Sequence, residues 1–147
     1  MPSLAQGLLG SSTERRGSTW YDASMSRLAV IAVPDLMFQP RIEAAARGLG
    51  FETAIADDLL TARDALARRP ALVIVDLHAA TLDAETVIRG AKLVGAAVLA
   101  FGRHTEPETL RAARQAGADL AVARSQLVDE LPELISRLTG TELPTDP

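Results

Sequence analysis

The run Ala71-Leu72-Val73-Ile74-Val75-Asp76-Leu77 constrains this chain more than any other segment. Five apolar residues, three of them β-branched, lead into a carboxylate. Opened by Pro70 and closed by a charge, the run predicts a strand buried on both faces. Strands of that kind belong to parallel sheets covered by helices. Asp76 then stands at the C-terminal edge of the sheet, where open α/β folds place their ligand and catalytic groups. Asp76 either does chemistry there or ends a strand.

The rest of the chain alternates in the same way. Residues 27–33 predict a first buried strand, stopped by Pro34 and followed by Asp35. Phe38, Ile42, Ala45 and Leu49 then form a helical stripe, with Pro40 in the first turn and Gly48 and Gly50 at the end. Residues 51–56 alternate like a half-buried edge strand, and Asp57 or Asp58 caps a helix that faces inward through Leu59, Ala62 and Leu66. After the Asp76 strand, Asp83 caps a helix with Val87, Ile88 and Ala91 inward. Residues 96–101 predict a fourth strand, and Thr105-Glu106-Pro107-Glu108 reads as a capping box opening a helix that ends at Gly117. A short strand over 120–123 precedes a last helix, capped by Ser125 and closed by Gly140, with Leu127, Leu131, Leu134, Ile135 and Leu138 as its apolar stripe. Five βα units in alternation predict a five-stranded parallel sheet, a doubly wound (βα)5 domain with helices on both faces.

Composition bounds what such a domain can do. The chain has 147 residues, room for one core; 48% are hydrophobic but only 3% aromatic, so that core is aliphatic. Net charge is −4, and no stretch is basic enough to track phosphates, which argues against direct nucleic-acid binding. With no cysteine, disulfides, thiolate metal sites and thiol nucleophiles are excluded. No apolar run reaches the roughly 18–20 residues a membrane span needs. Residues 1–25, with Trp20 and Tyr21, read as a disordered tail lacking the apolar core of a secretory signal; the alternative is an aromatic docking anchor. Met25 is a candidate true start. Residues 26–140 form the expected domain and 141–147 a C-terminal tail.

Two local marks carry a resemblance. Val73-Ile74-Val75-Asp76-Leu77 ends a third strand on an aspartate, and Ala112-Ala113-Arg114-Gln115-Ala116-Gly117-Ala118-Asp119 is similar to the ALEAGADD-like stretch after a fourth helix. In this order and spacing they resemble the CheY-like receiver domain of bacterial response regulators, over roughly residues 27–140. The resemblance implies two-component, phosphorelay signalling in the cytoplasm, with a histidine kinase or downstream regulator as protein partner and a homodimer as one arrangement. It further implies phosphoryl transfer to the strand-three Asp, an acidic pair holding Mg²⁺, a Thr or Ser ending strand four, and a Lys ending strand five.

This chain departs from that pattern at three of the four elements. Asp76 keeps the acceptor position. The acidic pair becomes Val33-Pro34-Asp35, leaving Asp35 and Asp76 as the candidates to hold that ion. The hydroxyl position falls on Gly102, and the lysine position on Arg124, which is planar and bulkier than Lys. These changes resemble a degenerate, or pseudo-receiver, domain: a stand-alone regulatory module without turnover, acting by protein contact with impaired or absent phosphorylation. Arg124 pairing with Asp76 is the accompanying structural expectation.

Two alternatives remain. One is a working single-domain response regulator, phosphorylated on Asp76 with Mg²⁺. The other is a small-ligand or metal-binding α/β domain using His78 and His104, the only histidines, which both fall in loops at the same edge. Asp76-Leu77-His78 also begins like the D-x-H-x-x-G loop of cobalamin-binding domains, but Thr81 stands where that loop needs Gly, and the loop follows the wrong strand. No nucleotide-binding glycine motif follows any strand.

Overall fold

The computed structural model describes residues 27–143. The expected tail over 1–25, the Trp20–Tyr21 anchor and the alternative start at Met25 lie outside the described residues, as does most of the expected C-terminal tail. Ten elements alternate strictly. They are β1 (Leu28–Ala32), α1 (Gln39–Gly48), β2 (Glu52–Ile55), α2 (Leu59–Leu66), β3 (Leu72–Asp76), α3 (Ala84–Leu93), β4 (Ala97–Gly102), α4 (Pro107–Ala116), β5 (Leu120–Ala123) and α5 (Arg124–Thr139). The strands make one parallel sheet in the order β2-β1-β3-β4-β5.

The central strands are hydrophobic throughout because both faces are covered. In β3, Leu72 and Ile74 meet α1 and α5, packing with Ile42, Leu127, Leu134 and Ile135. Val73 and Val75 meet the other layer, packing with Ala62, Val87, Ile88 and Ala113 of α2, α3 and α4. The two-residue period carries Asp76 onto the α1–α5 side, in register with Phe101 of β4. The order 2-1-3-4-5 reverses between β1 and β3, so the crevice opens where Asp35 and Asp76 emerge.

Local chemistry sets most boundaries as expected. Asp58, not Asp57, caps α2, accepting from Thr61 N–H at 2.9 Å while the Thr61 hydroxyl returns to the Asp58 backbone. Asp83 caps α3 from a left-handed conformation (φ 51°), which a short polar side chain tolerates. Asp119 Oδ2 accepts from Val98 N–H and from Lys92 Nζ, both at 2.8 Å, fastening the start of β4.

Two helix starts differ from expectation. The capping box at Thr105 does not form: α4 begins at Pro107, with Glu106 as its flanking residue and no side-chain cap. A residue before proline is pushed out of the helical region, and Glu106 sits at φ −127°, ψ 70°, so the helix starts one residue late. Ser125 does not cap α5 either. β5 runs straight into the helix, the extended Ala123 is the boundary, and Ser125 is already the second helical residue. Pro132 lies inside α5, and Glu130, two residues before it, departs from helical geometry, producing a kink.

Candidate functional site

The candidate site is the crevice at the C-terminal ends of β1, β3, β4 and β5. Asp76 is the only buried charged residue among those described, with 6% of its surface exposed. Its Oδ1 accepts from the backbone N–H of His78 at 2.9 Å, which orients the carboxylate at the strand end. Asp35 lies in the turn between β1 and α1. Its Oδ1 accepts from Met37 N–H at 2.8 Å, and its carbonyl receives the N–H groups of Phe38 and Gln39. The turn is fixed by Gln39, whose Nε2 donates to Val33 O at 2.8 Å and to Asp57 Oδ1 at 3.1 Å.

Arg124 unites the two acids. Its guanidinium lies 3.9 Å from Asp35 Oδ2 through one nitrogen and 3.9 Å from Asp76 Oδ2 through the other. The expected Arg124–Asp76 pair therefore exists, and it is shared with Asp35. At 3.9 Å these are long ionic contacts, not a bidentate fork. Aromatic stacking supplies further hold: the guanidinium carbon is 5.0 Å from the centre of the Phe38 ring and 5.8 Å from that of Phe101. The rings themselves meet edge to face at 5.4 Å.

The residues do not suit Mg²⁺. Such an ion takes one or two carboxylates and keeps several waters in octahedral geometry. One oxygen of each carboxylate already serves a backbone N–H, and both remaining oxygens face Arg124. Among the described residues no group of three or more His, Asp or Glu side chains gathers to hold a metal.

Gly102 ends β4 and offers no hydroxyl. A Cβ built there would lie 3.0 Å from His78 Nε2 and 3.5 Å from Leu77 Cδ1. The imidazole thus occupies the space beside the glycine. Nε2 accepts the Arg103 N–H at 3.1 Å, which assigns the neutral ring's proton to Nδ1, and Nδ1 lies 4.0 Å from Glu106 Oε1. The loop after β3 is so joined to the loop after β4. Glu106 is held below the ordinary carboxylate range, chiefly by the Arg103 hydrogen bond, with burial opposing and the Arg103 charge and the Thr109 hydroxyl assisting.

His78 and His104 both line one open depression of about 500 Å³, together with Gly102, Arg103, Arg124 and Ser125. The structure brings the two histidines to one edge, as expected, but among the described residues they belong to no group of three or more metal-ligating side chains. The sequence offered His78 as a ligand in one alternative reading and missed its packing against Gly102. The signal was available: β3 and β4 are adjacent, and Asp76 pairs with Phe101, so residues just beyond each strand end must meet.

No family model and no curated protein matches this chain by sequence. Solved structures do match it in shape. The receiver domain of NtrX from Brucella abortus has a TM-score of 0.67 at 21% identity, covering 78% of this chain and 99% of that one. A response regulator from Thermotoga maritima gives 0.67 at 17% identity, covering 79% and 99%. A response regulator signal receiver domain from Bermanella marisrubri gives 0.67 at 23% identity, covering 77% and 98%. The fold is the CheY-like, flavodoxin-type fold of receiver domains.

Proposed function

We propose that this domain is a receiver-type regulatory module of two-component signalling that works by protein contact and has lost the phosphoryl switch. One observation carries the reading. The position at the end of β4, one residue past Phe101, the register partner of Asp76, is Gly102, and its side-chain space holds the His78 imidazole. A phosphoryl group on Asp76 would find no hydroxyl to draw toward it, and the loop that such a movement would shift is already fastened through Arg103 N–H. Arg124 in place of a slender lysine agrees with this, because its planar head is committed to two acids and two rings.

Protein contact is the remaining route for a signal. Leu36 and Met37, in the turn beside Asp35, are 78% and 85% exposed, and such apolar side chains at a site's mouth favour a protein partner. A histidine kinase or a downstream regulator is the class of partner proposed, with a homodimer as one arrangement and the cytoplasm as the setting. No helix among the described residues is long and apolar enough to cross a membrane.

The test is incubation with a small-molecule phosphodonor and Mg²⁺, followed by intact-mass measurement. The reading expects no adduct. A gain of about 80 Da, one phosphoryl group, that Asp76→Asn abolishes would establish instead a working response regulator phosphorylated on Asp76.

A further inference from the structure

We propose that the Arg124 guanidinium is the resident cation of the Asp35–Asp76 crevice and keeps divalent ions out of it. The inference rests on the reading of this edge as a receiver-type site. Each carboxylate spends Oδ1 on a backbone N–H, from Met37 and from His78. The two Oδ2 atoms that remain both face one guanidinium, each at 3.9 Å. No other cationic side chain among the described residues pairs with either acid.

Arg124 is not there on account of its helix. It is the first residue of α5, and the N-terminal end of a helix repels a cation. What holds it is the pair of acids on one side and the rings of Phe38 and Phe101 on the other. Asp76, almost fully buried, needs a compensating charge near it, and this is the one the fold supplies. A divalent ion entering between the Oδ2 atoms would have to shed water, which Mg²⁺ does reluctantly, and displace a cation that is covalently tethered beside them. Both cations together would add repulsion to the crevice. The charge of the site is therefore settled by the chain and does not follow the Mg²⁺ concentration.

The experiment is isothermal titration calorimetry with Mg²⁺ alone, repeated with Mn²⁺ while NMR line broadening is followed at the amides of Asp35 and His78. The proteins are the unaltered chain, Arg124→Gln, Arg124→Met and the double variant Arg124→Gln/Asp76→Asn. Thermal melts check that each is folded, and either single variant suffices. The unaltered chain is expected to give no heat and no selective broadening at millimolar ion. Arg124→Gln or Arg124→Met is expected to gain saturable binding, lost again in the double variant. Binding by the unaltered chain at Asp35 and Asp76 overturns the proposal, and so does silence from a folded Arg124 variant. If neither variant folds, the unaltered chain decides alone. No phosphodonor is involved, so an adduct on Asp76 would defeat the proposed function and leave this result standing.

Discussion

Replacing Gly102 with Ala tests the contact between the two loops directly. The new methyl carbon would lie 3.0 Å from His78 Nε2 and 3.4 Å from His78 Cδ2. Both contacts are closer than a side-chain carbon ordinarily makes, so the imidazole must give by a few tenths of an ångström. That retreat weakens the 3.1 Å bond from Arg103 N–H. Losing this exposed hydrogen bond costs about 0.5 kcal/mol, the low end for such a bond, and forcing a methyl into a filled site costs about 1–3 kcal/mol. Gly→Ala inside a strand returns roughly 0.5–1 kcal/mol through backbone entropy. The expected net loss is about 1–2 kcal/mol, from the same three terms. His78→Ala alone should cost about 0.5 kcal/mol through the same hydrogen bond. In that background the added methyl meets only Leu77 at an ordinary 3.5 Å, so Gly102→Ala should become neutral or slightly stabilising. Urea unfolding followed by circular dichroism, at unchanged slope, gives all four stabilities of the cycle. A coupling of about 1–2 kcal/mol is expected. Additivity within about 0.5 kcal/mol would mean that His78 does not occupy the glycine's space, and the account of a filled switch position would fail.

Two further predictions concern the frame of the site. Asp119→Ala should destabilise by about 1–3 kcal/mol, because Val98 N–H loses its acceptor and Lys92 its partner; Asp119→Asn should recover part of this, as denaturation midpoints will show. Asp58 is held below its ordinary pKa, first by the Thr61 backbone hydrogen bond and then by the Thr61 hydroxyl. A carboxylate depressed in the folded state stabilises above its unfolded pKa, and the contribution fades as pH falls through the folded value. Acid should therefore loosen the first turn of α2, and Asp58→Asn should flatten that dependence; an unchanged acid limb in hydrogen exchange would contradict the cap.

The fold was legible because burial writes itself into period. Val73-Ile74-Val75 has no polar face, so it demanded cover on both sides, and the Leu127-Leu131-Leu134-Ile135 stripe supplied half of that cover. The position of Asp76 followed from the same run. Helix starts were less legible where two local preferences compete. Thr105 and Glu108 favour a capping box, but the conformational demand of Pro107 on Glu106 prevails. At Ser125 the absence of any loop between β5 and α5 removes the residue that would have been the cap. The site was half legible. Pairing of Arg124 with Asp76 follows from strand ends that lie close together. Its sharing with Asp35 and its seat on Phe38 and Phe101 depend on three elements converging, which no local pattern encodes. The His78 contact depends on a rotamer in a loop, and only the register of β3 with β4 hints at it.

The central claim is that Asp76 keeps an acceptor's place without an acceptor's switch. The most direct measurement is the intact mass of the chain after exposure to a small phosphodonor with Mg²⁺, beside Asp76→Asn treated alike. The account predicts that neither protein gains mass. A stoichiometric gain of about 80 Da in the unaltered chain, absent from Asp76→Asn, would contradict it.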